Sequence, residues 1–101
     1  MKKTRFFISV YDAENHEQTA KPVNGYFDYV AGLPLGFHKS GGAWTCTELS
    51  TGCAIAYGRT RADALEKARP HFDAVCLKII DEKMRGLREM ISAAYKQEVT
   101  A

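Results

Sequence analysis

The sequence predicts an α+β fold, an antiparallel meander of about four or five strands packed on a long or kinked C-terminal helix. Three observations predict it. Residues 1–58 are short apolar runs, several with a two-residue alternation, cut by Gly, Pro and Asn turn signals. From Thr60 onward the apolar spacing lengthens to three and four residues, the period of a helix. The chain has 101 residues, 46% of them apolar and 26% charged, which suits one globular domain over 1–101 with a sheet in 1–58 and a helical segment in 60–97.

In RFFISVY, residues 5–11, Phe6, Ile8 and Val10 alternate with Phe7, Ser9 and Tyr11, so this is the first strand. The polar run 12–21 has no period and reads as a loop, and Asn24-Gly25 after Pro22 reads as a hairpin tip. Strands are expected at 26–31 and 35–40, separated by Gly32 and Pro34. Ser40-Gly41-Gly42 turns into a strand at 43–49, and Ser50-Thr51-Gly52 turns into another at 53–58. Pairing Glu48 with Cys53 sets Cys46 opposite Ile55 and Trp44 opposite Tyr57 on one large apolar face. Thr45, Thr47, Ala54 and Ala56 then form a small-residue face, and the helix belongs on the Trp44 side.

Thr60 is the expected N-cap, with Asp63 placed to favour the positive end of the helix dipole. Pro70 and Gly86 mark expected breaks. Asp63 with Lys67, Lys78 with Glu82, Asp81 with Arg85 and Arg85 with Glu89 are spaced for surface ion pairs. A single helix over 61–97 would run about 55 Å, against about 20 Å for a six-residue strand. Its last stripe, Leu87, Met90, Ile91, Ala94 and Tyr95, must therefore fold back near Gly86 or bury itself against another subunit. The subunit is the favoured alternative, which makes a homodimer the expectation.

Fourteen basic against twelve acidic residues leave a net charge of +2, too little to argue for nucleic acid from charge alone. The apolar run near the N-terminus is too short for a signal-peptide core or a membrane span, and Cys46, Cys53 and Cys76 look like reduced core thiols, so a cytoplasmic protein is expected. His16, His38 and His71 are dispersed and pair with no Cys at a metal-site spacing; no metal or cofactor is expected. No phosphate loop, dinucleotide fingerprint, HExxH or GxSxG is present, so an enzyme is not the expected class. Arg59, Thr60 and Arg61 set two guanidinium groups beside a helix N-terminus, a combination suited to phosphate or carboxylate. Lys2, Lys3 and Arg5 would extend that basic rim, and Tyr11, Tyr26, Tyr29 and Phe37 offer stacking surfaces for nucleic acid or nucleotide.

The run ELSTGCAIAYGRTRADALEKA, residues 48–68, resembles the core of HicB-type antitoxins, through Glu48, Gly52, Cys53, Gly58, Thr60, Ala64, Leu65 and Ala68. Similar strings occur in double-stranded-RNA-binding-like folds. The resemblance implies a small antiparallel sheet backed by a helix, used to bind a protein partner or to build dimers. Small proteins of this kind are common among phage and prophage inhibitors of host systems. The resulting expectation is a non-enzymatic binding protein acting on a protein partner, antitoxin-like or a phage-type inhibitor, and dimeric. The alternative is a nucleic-acid or phosphate-binding module using the Arg59 and Arg61 rim.

Overall fold

A computed structural model of the chain describes residues 2–80 and 84–100, with side chains for 2–76 and 84–98. The fold is α+β, a five-stranded antiparallel meander in the order β1-β2-β3-β4-β5 packed with helices. The strands are β1 (Lys2–Asp12), β2 (Glu17–Val30), β3 (Leu33–Ser40), β4 (Ala43–Glu48) and β5 (Cys53–Gly58). Helix α1 (Arg61–Ala68) runs through a 3₁₀ turn, Arg69–His71, into α2 (Phe72–Ile80), and α3 (Arg85–Thr100) completes the order.

The first hairpin differs from the sequence expectation. The polar run is not a loop, and Asn24-Gly25 is not a tip: β2 passes straight through both, with Gly25 opposite Thr4. The turn lies instead between Asp12 and Glu17, where the Asp12 carboxylate accepts from the Glu14 N–H and the Asn15 side-chain amide, and His16 takes a positive φ of 53°. Gly25 serves closeness rather than turning, because a Cβ there would overlap the Phe37 carbonyl oxygen and stand 2.9 Å from the Phe6 ring. Polar strand residues are tolerated because much of this hairpin stands in solvent.

The second difference is a bulge. Glu48 pairs with Cys53 as expected, but the register shifts between Cys46 and Thr47. Cys46 then faces Ala56 and Trp44 faces Gly58, so Ala56 and Gly58 turn to the helix side and Tyr57 turns to the other face, opposite Thr45. One extra residue exchanges the faces of everything beyond it. The helix side does contain Trp44, and the main core there joins Leu33, Leu35, Phe37, Cys46 and Ala56 to Ala64, Ala68 and Phe72.

Helix α1 can lie close to β5 because Gly58 has no side chain. A Cβ there would overlap the Ala64 nitrogen and stand 2.8 Å from the Ala64 Cα. The Thr60 hydroxyl accepts from the Asp63 N–H at 3.0 Å, making Thr60 the N-cap. Pro70 falls in the 3₁₀ turn between α1 and α2, where its missing N–H and its ring are accommodated. Gly86 is the second residue of α3. Asp63 and Lys67 pair at 3.2 Å, whereas the expected Lys78–Glu82 and Asp81–Arg85 pairs lie outside the described residues.

The sheet also rolls. At its far edge β1 reaches the turn between β4 and β5, where the Ser9 N–H donates to the Gly52 carbonyl at 2.8 Å and the Ser9 hydroxyl to the Thr51 carbonyl. That roll supplies a second docking surface on the outside of β1 and β2, and α3 occupies it. Ile91 is 2% exposed and packs at Gly52; the Tyr95 hydroxyl accepts from the Phe7 N–H at 3.1 Å, with its ring edge-on to Phe7. Arg5 pairs with Glu98. The apolar stripe thus folds back within the chain: Ile91 is buried, and Leu87, Met90, Ala94 and Tyr95 are half-buried. The strip that argued for a second subunit is engaged by its own sheet.

Candidate functional site

Two places carry unusual side-chain chemistry. The first is the helix rim singled out by sequence. Arg61 lies over the Tyr26 ring at 4.1 Å from its centroid and 5.6 Å from that of Trp44, so its guanidinium is held by two aromatic faces. The Arg59 N–H donates to the Asp63 carboxylate at 3.0 Å. That bond, and Lys67 beside it, hold the Asp63 carboxyl below the ordinary carboxylate range. The end of α1 is therefore already served by a carboxylate of the chain itself. Thr60 is occupied as the cap, and the Arg59 side chain stands in solvent.

Of the other basic residues, Lys3 sits opposite Tyr26 and Lys2 opposite Phe27, and both are exposed. Lys3 is thus next to the aromatic pair that holds Arg61, as is Lys39, which faces Trp44 across β3 and β4. Arg5 does not join them, being engaged with Glu98 and the Phe7 ring. Phe37 is fully buried and cannot stack on a ligand, while Tyr11 and Tyr29 are exposed on separate strands.

The second place is the helix-free face of the rolled sheet, which the sequence reading described only as a face of small residues. Its cleft of about 300 Å³ is lined by strand and turn residues alone: Ile8 and Val10 from β1, His38 and Ser40 from β3, Thr45 and Thr47 from β4, and Ala54 and Tyr57 from β5 among them. His38 pairs with Thr45, and Thr45 with Tyr57, so these three form one row across three strands. Tyr57 is 61% exposed at one end of the row, and His38 is 8% exposed at the other. The His38 Nδ1 is buried with no hydrogen-bond partner among the described residues. Burial, and secondarily the charge of Lys21, push the imidazole below its ordinary pKa, so it is neutral near pH 7. Phe6 meets His38 edge to face at 6.0 Å between centroids and closes one side of it.

A smaller cleft of about 190 Å³ lies between the β4–β5 turn and α2, lined by Glu48, Thr51, Cys53 and His71 among others. Glu48 is 1% exposed, yet its carboxylate accepts from the N–H and hydroxyl groups of both Ser50 and Thr51, so it organises the turn. Cys46 is buried and its thiol pushed up to about 12 by burial; Cys53 is half-buried and Cys76 exposed. No group of three His, Cys, Asp or Glu able to hold a metal occurs among the described residues.

These features define a small α+β protein with a helix-covered face and an open, rolled face. No described helix is long and apolar enough to cross a membrane. No protein family, curated protein or solved structure matches the chain.

Proposed function

We propose that the protein is a non-enzymatic binding module that engages a protein partner through the helix-free face of its sheet. An antitoxin-like or inhibitor role is the form of this reading that the resemblance of residues 48–68 implies. The observation that carries it is the row His38, Thr45 and Tyr57: the bulge in β4–β5 turns a largely exposed tyrosine onto the face that also carries the buried His38, Thr45 and Thr47. Bulges that re-aim one side chain are over-represented at functional sites. An exposed aromatic beside a concave floor has the form of an interface anchor. The reading no longer needs a second copy of the chain, since the α3 stripe is covered internally, and light scattering at micromolar concentration should return the monomer mass.

Affinity capture with the wild-type chain, compared with Tyr57→Asp on the open face and Ala62→Asp on α1, tests the reading. A specific partner should be lost with Tyr57→Asp and kept with Ala62→Asp; retention by Tyr57→Asp would dismiss the open face as the contact.

One observation favours a second reading, a nucleic-acid or phosphate binder: Lys3, Lys39 and Arg61 gather round Tyr26 and Trp44 at one end of the helical side. Anisotropy with a labelled single-stranded oligonucleotide should then fall steeply with salt and with Lys39→Glu. A flat salt response would remove it.

A further inference from the structure

We infer that the cleft at His38 is a pocket for one neutral, hydroxyl-bearing aromatic ring, a phenol, whether as a free small molecule or as a side chain of the partner. The inference deepens the open-face reading and rests on it for the side-chain source alone.

A buried polar atom left without a partner costs on the order of 1–3 kcal/mol. His38 Nδ1 is such an atom, on a side chain more than nine-tenths buried and in the wall of a cleft of about 300 Å³. That volume lies at the lower end of the range for small-molecule pockets, which limits the occupant to about one ring. The walls decide its character. Ile8, Val10 and Ala54 give the lining its aliphatic part and the largely exposed Tyr57 its aromatic one, beside the hydroxyl groups of Ser9, Ser40, Thr45 and Thr47. A flat apolar body fits between them.

The polar end is set by the imidazole. Burial and Lys21 on β2 keep it uncharged, so it offers one donor nitrogen and one acceptor nitrogen, and no partner at Nδ1 fixes which is which. A hydroxyl both donates and accepts. It can bond whichever ring nitrogen faces the cleft, in either tautomer or after a half-turn about χ2, which an amine cation or a carboxylate cannot. A cation is further disfavoured by Lys21. The elements around His38 contribute Phe6 and Ile8 from β1, Lys21 from β2 and Thr45 from β4, of which only Lys21 is charged.

The probes are p-cresol, toluene and N-acetyltyrosinamide, titrated into the full chain and followed by two-dimensional NMR. The expected result is saturable shifts at His38, Thr45, Ala54 and Tyr57, with p-cresol binding about three- to ten-fold more tightly than toluene, the worth of one neutral hydrogen bond. His38→Phe, which keeps a ring against Phe6, should abolish that preference while toluene still binds. If that variant fails to fold, the wild-type comparison of p-cresol with toluene still decides.

Binding of N-acetyltyrosinamide at the same residues supports a partner side chain as the source. Binding of p-cresol without it supports a free small molecule and overturns the side-chain source. Equal affinity for p-cresol and toluene, or no saturable shift at the four residues, overturns the pocket itself, whatever the capture experiment with Tyr57→Asp returns.

Discussion

Gly58→Ala is the most decisive single change, because it separates the observed register from the simpler one the sequence suggests. In the observed pairing Gly58 lies opposite Trp44 under α1, and an added methyl would overlap the Ala64 nitrogen and stand 2.8 Å from both the Ala64 Cα and the Asp63 carbonyl carbon. These are backbone atoms, so no rotamer change relieves the contact and α1 must lift. Lifting it loosens Ala64 and Ala68, both fully buried, and moves Arg61 off Tyr26 and Trp44. Overpacking of this kind costs about 1–3 kcal/mol. For a domain of this size that corresponds to a fall in Tm of roughly 5–20 °C. Trp44 is the only tryptophan, so its emission reports the loss of the Arg61 contact in the same sample. Without the bulge, Tyr57 would stand opposite Trp44, Gly58 would point to the open face, and alanine there would be tolerated. A variant with unchanged Tm and unchanged Trp44 emission would therefore refute the bulged register and, with it, the placement of Tyr57 on the open face.

Three further outcomes follow from the same geometry. The folded-state pKa of His38 is depressed, chiefly by burial, so the unfolded chain binds the proton more readily; its contribution to stability is present above the ordinary imidazole value of about 6.5 and is lost as pH falls below it. Urea midpoints should decline on acidification through that range, and His38→Phe should flatten the decline; an unchanged slope would count against a dry, neutral imidazole. Iodoacetamide at pH 8 should label Cys76 before Cys53 and leave Cys46 unmodified until the chain unfolds, since burial pushes that thiol up to about 12; mass spectrometry of partly labelled protein checks the order. Tyr95→Phe removes the acceptor for the Phe7 N–H while keeping the ring stack, so it should cost about 1 kcal/mol and raise amide exchange at Phe7; protection as in the wild type would contradict the docking of α3 on β1.

What the residues disclosed in advance was what short-range chemistry decides. Alternation in RFFISVY placed β1; Gly32, Gly41-Gly42 and Ser50-Thr51-Gly52 placed the later turns; and Thr60 with Asp63 placed the start of α1. The misses share one physical origin, contacts between residues distant in sequence. Gly25 was read as a turn residue because glycine permits a tight turn, yet it is used because Phe6 and Phe37 approach it from other strands. The bulge at Ile55 leaves no local mark, since CAIAYG fits either register; what selects the observed one is the space that Ala56 and Gly58 make for Ala64 and Ala68. The open-face cleft was invisible for the same reason: Ile8 and Tyr57 are brought to one cavity by the roll of the sheet, although three strands separate theirs in the meander.

The expectation of a dimer rested on area: a flat sheet of six-residue strands cannot shelter a helical segment reaching to Tyr95. The structure removes the premise in two steps. The first hairpin is built from strands of 11 and 14 residues, about twice the expected length, because its polar half pairs instead of looping. The sheet then rolls until Ser9 reaches Gly52, which turns the outside of that hairpin into a separate surface for α3 while α1 keeps β4 and β5. The same roll that covers the stripe on the outside makes the cleft on the inside, with Ser9 and Gly52 common to both. A change that loosened the Ser9–Gly52 contact would at once free Ile91 and widen the pocket at His38.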